Sequence, residues 1–222
     1  MAYDLEEQEQ IDTLKAWWKQ NGNMVTWLVI AALSTYVGWS AWTNYQGKQS
    51  SQASTLYEEV QRAATAKENA KVQVATAALV EKYGRTTYAS MAALAAAKSA
   101  IDANDLKAAK TQLTWLQANA ATAEFKAIAN LRLASIALDE KAYDDGLKYL
   151  NGDFPADFAA DVADRKADIF VAQNKIAEAR ASYQVALAKA TDKNPGRQLI
   201  EIKLDAIGGA PEVKATVPAE KK

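Results

Sequence analysis

The sequence between Lys19 and Lys48 contains no Asp, Glu, Lys or Arg, although 24% of the whole chain is charged. An α-helix needs about 20 residues to cross the roughly 30 Å of hydrocarbon in a bilayer. The uncharged stretch is longer than that, and residues 24–42 are its most apolar part. We therefore expect a transmembrane helix over residues 23–45, preceded by an acidic, amphipathic segment over residues 1–22.

Aromatic residues accompany this stretch, and tryptophan and tyrosine favour the boundary between lipid and water. Ser34 and Gly38 form a small-x-x-x-small pair, a pattern that suits contact with another membrane helix. The expected anchor and interface residues are Trp17, Trp18, Trp27, Ser34, Tyr36, Gly38, Trp39, Trp42 and Tyr45.

Two alternatives to a permanent anchor are a buried core helix and a cleaved signal peptide. A core helix needs protein around all of its sides. A signal peptide begins with a basic segment, whereas residues 1–19 carry five acidic residues and two lysines. Both alternatives are therefore less favourable than the anchor.

Lysines near the ends of the span favour one orientation, because positive residues remain on the cytoplasmic side. Lys15 and Lys19 precede the span, and Lys48 alone follows it within 15 residues. This predicts a cytoplasmic N-terminus and a periplasmic domain over residues 46–207. The absence of cysteine is compatible with an oxidising compartment. A net charge of −1 gives no reason to expect nucleic acid as a partner.

Residues 46–207 are rich in alanine and leucine and predict an all-α domain made of repeats. Four segments, which start at Lys67, Ile101, Leu138 and Val171, each place a turn, a small residue and a large residue in the same order. The small residues recur after 34, 37 and 33 positions, close to the period of about 34 residues of the tetratricopeptide repeat. The turn residues are Asn69, Asn104, Lys141 and Asn174; the small residues are Ala75, Ala109, Gly146 and Ala179; the large residues are Leu79, Leu113, Leu150 and Tyr183.

The helix before each turn carries a second small position, which is Ala63, Ala97, Ala134 or Ala167. Together these patterns predict a tetratricopeptide-like helical-repeat solenoid, and a generic alanine-rich bundle is the alternative. Residues 208–222 contain two glycines and two prolines in a polar context. We expect them to form a disordered tail.

The chain has no histidine and no cysteine. This excludes Ser-His-Asp and Cys-His catalysis as well as histidine-based metal sites, and no nucleotide-binding motif is present. We predict a protein that is not an enzyme, with no catalytic, cofactor-binding or metal-binding residues. Four aspartates recur at helical spacing, and we expect a solvated acidic stripe in preference to a site for a cation or a basic peptide: Asp157, Asp161, Asp164 and Asp168.

A tetratricopeptide solenoid lines its concave face with the first helix of each unit, and partners bind there. Counting from the small residues gives the candidate partner groove. Its apolar members either contact a partner or pack within the chain, and the sequence leaves both possibilities open. The predicted groove residues are Leu94, Lys98, Ile101, Leu131, Ser135, Leu138, Asp164, Asp168 and Val171.

Four stretches are distinctive: "YDLEEQEQIDTLKAWWKQNGN" before the span, then "KYGRTTYASMAALAAAK", "LRLASIALDEKAYDDGLKYL" and "ADIFVAQNKIAEARASYQVAL". With these stretches the chain resembles the YfgM family of bacterial inner-membrane proteins. The resemblance implies a single-span anchor in the inner membrane and a periplasmic tetratricopeptide-like domain. It also implies association with the SecYEG translocon and with a periplasmic, membrane-anchored prolyl isomerase chaperone of the PpiD type. It does not give the oligomeric state.

The expected function is that of a membrane-anchored adaptor that links the translocation channel to periplasmic chaperones, with membrane lipid as the other contact. The alternatives are a holdase chaperone for exported chains and a scaffold for cell-envelope assembly. A holdase would show a continuous exposed apolar patch of several hundred Å², whereas an adaptor groove would be of mixed polarity.

Overall fold

A computed structural model describes residues 2–191 and 195–209, with side chains from residue 9 onward. The chain divides into two compact units, Met1–Ser51 and Gln52–Lys222. The described residues are helical and contain no strand. This confirms the predicted all-α class.

Helix α1 (Ala2–Thr65) contains the whole predicted span and continues through Gly47 without a break. The helices that follow are short. They are α2 (Asn69–Tyr83), α3 (Thr87–Asp102), α4 (Leu106–Asn119), α5 (Ala123–Asp139), α6 (Tyr143–Tyr149), α7 (Ala159–Ala172), α8 (Ile176–Lys189) and α9 (Arg197–Ala206), with one 3₁₀ turn at Ala156–Phe158.

From α2 to α9 each helix packs against the next in sequence, and α5 also packs against α7. Contacts of this kind are those of a stack of helical hairpins, in which each repeat touches its neighbours. The stack confirms the predicted repeat architecture.

Four turns inside the hairpins share one backbone conformation. Lys67, Asn104, Lys141 and Asn174 have φ between 56° and 61°. Around Lys141, its own amide donates to the Leu138 carbonyl over 3.0 Å, and the Ala142 amide donates to the Ala137 carbonyl over 2.8 Å. This is the Schellman pattern, in which a left-handed residue satisfies the last carbonyls of a helix.

These turns correct the predicted register of the first repeat. The left-handed residue there is Lys67, whereas Asn69 is already the first residue of α2. The turns are thus 37, 37 and 33 residues apart. The sequence "KENAK" offers two polar residues for one turn, and only the backbone conformation distinguishes them. The large-residue position of this unit is Thr76 in place of Leu79, and its small positions are Val60 and Val72 in place of Ala63 and Ala75.

With this register, the repeat positions coincide with the core. The position seven residues before each turn is fully buried in every unit, and it holds Val60, Ala97, Ala134 and Ala167. Small side chains there let neighbouring helices approach closely. The small position five residues after the turn shows the same close approach at Gly146, because a Cβ atom on it would lie 2.9 Å from Ile169 Cδ1. The positions nine residues after the turns are also buried, and they hold the large side chains Leu113, Leu150 and Tyr183 and, in the first unit, the smaller Thr76.

Lys141→Gly is expected to stabilise the protein by about 0.5–1 kcal/mol, because glycine removes the steric cost of the left-handed conformation. Lys126→Gly is the matched control. Lys126 is exposed on α5, and glycine in a helix costs about 1 kcal/mol. Thermal unfolding of the full chain in detergent, followed by circular dichroism, should therefore shift in opposite directions for the two variants. Equal destabilisation by both would contradict the assigned turn.

Helix α9 ends at two glycines that the sequence assigns to the tail. Gly208 has φ of 76°. The Gly208 amide donates to the backbone carbonyl of Asp205 over 2.9 Å, and the Gly209 amide donates to the backbone carbonyl of Leu204 over 3.0 Å. These residues therefore cap α9, which corrects the predicted start of the tail. Residues 210–222 lie outside the described residues.

Candidate interaction surfaces

The apolar part of α1 exposes its side chains around the helix. Among the described residues one helix is long and apolar enough to span a membrane, and none of its apolar window is buried within the protein. Trp27, Tyr36 and Trp39 are 65–70% exposed. A core helix would be covered by protein, so its exposed surface argues against that alternative and favours lipid as its environment.

Glycines on α1 have contrasting surroundings. Gly22 is buried because the Trp18 indole lies over it, and a Cβ atom there would be 3.0 Å from Trp18 Nε1. At Gly38, apart from the adjoining residues and the local helix backbone, nothing lies within 4 Å of that position. Ser34 is exposed on the same helix. The remaining predicted interface rings, Trp17, Trp42 and Tyr45, are also exposed, at 49–57%.

The predicted groove residues occupy equivalent places in three repeats. They lie ten, six and three residues before the turns at Asn104, Lys141 and Asn174. Most of the apolar members are partly buried and pack against the core: Leu94, Leu131, Leu138 and Val171. Ile101 is 38% exposed.

The polar members of the groove differ in their partners. Lys98 is exposed and pairs with Asp102 on its own helix over 2.7 Å. The Ser135 hydroxyl donates to the Leu131 carbonyl over 2.9 Å. Tyr57 occupies the position equivalent to Leu94 in the first unit, and its ring centroid lies 5.7 Å from that of Tyr88. The predicted groove included no residue of the first unit, so Tyr57 was not among its members.

Two of the four aspartates, Asp164 and Asp168, bind a lysine and are not part of a solvated stripe. The Lys203 ammonium group, which belongs to α9, lies 2.9 Å from Asp164 Oδ1 and 2.9 Å from Asp168 Oδ1. The side chains of Lys203, Asp164 and Asp168 are 25%, 16% and 14% exposed, respectively. Asp157 and Asp161 remain exposed, so the prediction of a solvated stripe is wrong for half of the set. No group of three carboxylates among the described residues is arranged to hold a metal ion.

A third helix joins this cluster. The Tyr183 hydroxyl of α8 donates to Asp168 Oδ1 over 2.6 Å, and Arg165 donates to Asp168 Oδ2 over 3.1 Å. Burial, with the hydrogen bond to Asp168, raises the pKa of the Tyr183 phenol well above its ordinary value. Asp168 thus receives bonds from α7, α8 and α9. Sequence spacing could not identify Lys203 as a partner, because it lies on another helix, 39 residues beyond Asp164.

Burial raises the pKa of the Asp164 carboxyl above its ordinary value of 3.8, although the hydrogen bond from Lys203 opposes this shift. Because the pKa of this carboxyl is higher in the folded state than in the unfolded state, the carboxyl contributes to stability at a pH below its ordinary pKa. That contribution is lost as pH rises through the pKa of the folded state. In Asp164→Asn the side chain does not ionise, so the variant does not lose stability in this way. The variant should therefore gain stability relative to the wild type as pH rises from below 3.8 to about 7.

Urea unfolding of both proteins across this pH range measures the difference. Asp161→Asn is the control, because Asp161 is exposed on the same helix. A difference that is independent of pH, or that changes in the opposite direction, would contradict the assigned protonation behaviour.

Comparisons with known proteins cover most of the chain. Residues 15–209 match the family model described as a tetratricopeptide repeat-like domain. No solved structure gives a significant match.

Three curated relatives are each named ancillary SecYEG translocon subunit. The protein from Neisseria gonorrhoeae is 31% identical over 93% of this chain and 100% of its own length. The one from Haemophilus influenzae is 31% identical over 84% of this chain and 91% of its own. The one from Escherichia coli is 29% identical over 82% and 87%, respectively.

Proposed function

Because the chain belongs to the family of ancillary SecYEG translocon subunits, we propose that it is a non-enzymatic adaptor. Helix α1 anchors it in the bacterial inner membrane beside the SecYEG channel, with the N-terminus in the cytoplasm. The repeat domain lies in the periplasm and binds a membrane-anchored prolyl isomerase chaperone of the PpiD type. The chaperone is thereby held close to emerging chains.

The observation that carries this proposal is the pairing of an exposed apolar helix with a repeat surface of mixed polarity. Of the proposed groove, Lys98 is exposed, Ser135 is half-buried and Ile101 is 38% exposed. A holdase would need a broad apolar surface, whereas this composition suits a folded partner with polar and apolar contacts. Asp164 and Asp168 already bind Lys203, so we leave them out of the proposed surface.

Anchoring also explains how contacts of modest affinity suffice. A tether converts binding into an intramolecular event, with an effective concentration in the millimolar range for short links. The groove therefore needs few strongly binding residues. Ser34 and Gly38, where the helix surface is open, supply a surface for contact with a membrane helix of the channel.

Site-specific photocrosslinking in native membranes tests the proposal. Probes replace Ser34 in the span and Lys98, Ile101 or Ser135 in the groove, and Val74, which is 71% exposed on α2, carries the control probe. We expect adducts to channel subunits from Ser34 and adducts to one periplasmic chaperone from the groove. Many unrelated exported chains would instead indicate a holdase, envelope-assembly proteins a scaffold, and cytoplasmic proteins the opposite orientation.

A further inference from the structure

Helix α6 is half as long as the other second helices of the repeats. It has 7 residues, whereas α2 has 15 and α4 and α8 have 14 each. The chain leaves the helix at Asn151 and Gly152 and reaches Pro155, which cannot continue a helix. The space that two further turns of α6 would occupy is therefore available to something else.

An open cleft of about 590 Å³ is lined in part by the segment that follows α6, and its volume is within the usual range of binding sites. Most of its lining is apolar, and it comes from α7, α8 and the segment after α6. Val185 is 51% exposed at its edge. Lys166 also lines the cleft and forms no ion pair with any described residue. The principal apolar lining residues are Leu150, Phe154, Pro155, Val162 and Val185.

Helix α9 presents the opposite kind of surface. Ile200 and Leu204 are buried against the solenoid, whereas Leu199 and Ile202 on the outer side are 55% and 59% exposed. Asp205 is exposed on that side, three residues after Ile202, and it too forms no ion pair within the described part of the chain. The outer face of α9 is thus apolar with one acidic group at its edge.

We propose that the cleft binds α9 of a second copy of this chain. The 10 residues of α9 span about 15 Å, enough to replace the missing turns of α6. Leu199 and Ile202 would enter the apolar lining, in the manner of an amphipathic helix in a groove. Asp205 would pair with Lys166. Exchange in both directions closes a dimer and covers both surfaces in each copy, as in an isologous interface.

Single-cysteine crosslinking of the full chain in detergent micelles tests the proposal, because the native chain has no cysteine. Ile202→Cys and Val185→Cys are prepared separately, mixed, and treated with a short bismaleimide. Each copy carries one thiol, so every crosslink joins two copies. Ile202→Cys mixed with Val74→Cys is the control, because Val74 is 71% exposed on α2.

We expect the Ile202–Val185 product to exceed the control product by at least about tenfold. Equal yields for the two mixtures would overturn the proposal, as would an Ile202–Ile202 product that predominates. Sedimentation of the wild type as a monomer at all concentrations would also overturn it, because the proposed exchange of α9 requires two copies.

Charge exchange separates docking from a folding defect. Adding Lys166→Glu to the Val185→Cys copy places two acids together and should lower the yield about fivefold. Adding Asp205→Lys to the Ile202→Cys copy as well should restore it. A crosslinking yield that remains low with both changes would show that Asp205 and Lys166 do not form the proposed ion pair. The proposal is independent of the adaptor role, because self-association is measured without channel or chaperone.

Discussion

Lys203→Met is expected to lower the free energy of unfolding of the repeat domain by about 3 kcal/mol. The substitution retains most of the aliphatic volume but removes the cation from Asp164 and Asp168, whose side chains are 16% and 14% exposed. Two carboxylates would then lie close together, with Arg165 alone beside one of them. Removing one partner of a poorly solvated ion cluster costs more than the cluster contributes, because the remaining charges stay desolvated.

Chemical unfolding of the full chain in detergent measures the change, and Lys189→Met is the matched control. Lys189 is exposed on α8 and forms no ion pair with a described residue, so its loss should cost less than about 0.5 kcal/mol. Hydrogen exchange locates the effect, which should appear first in α9. Equal effects of the two substitutions would show that the cluster does not hold α9.

Leu113→Ala is expected to destabilise the protein by about 3 kcal/mol, because it removes a fully buried side chain and leaves a cavity. Leu113 is fully buried in the second repeat, among small residues such as Ala97 and Ala109. Alanines cannot move inward to fill the space. A solenoid transmits stability through contacts between neighbouring repeats, so the loss should extend to both adjacent hairpins.

Val74→Ala is the control for Leu113→Ala. Val74 is 71% exposed on α2, and alanine has the higher helix propensity, so we expect a change within about 0.5 kcal/mol. Urea titration of both variants gives the comparison. A loss below about 1 kcal/mol for Leu113→Ala would mean that the site collapses around the smaller side chain.

The sequence was sufficient to predict features that depend on a single helix. The uncharged stretch before Lys48 predicted a helix that could span a membrane, and small residues such as Ala97 and Ala134 predicted the helical stack. Both signals are local: length and polarity describe one helix, and periodicity describes one of its faces. The structure confirms both features.

Features that depend on two separated helices could not be predicted in this way. The position of Lys203 against Asp164 depends on the path of the chain through α8, whereas helical spacing on α7 describes α7 alone.

The prediction of the first turn, which the structure places at Lys67, was wrong for another reason. Asparagine adopts the left-handed conformation more readily than lysine, so propensity favours Asn69, whereas the backbone places this conformation at Lys67. Val60 and Val72, which match the other repeats in this register, are both fully buried.

The turns that end in a left-handed residue also bear on how the chain acquires its structure. Each hairpin contains its own turn and its own close-packed small residues, so the contacts that define it lie near one another in sequence. Chains dominated by such contacts fold rapidly, because little loop-closure entropy is lost before the contacts form. A polypeptide that emerges gradually from a narrow conduit can thus complete one hairpin before the next is available.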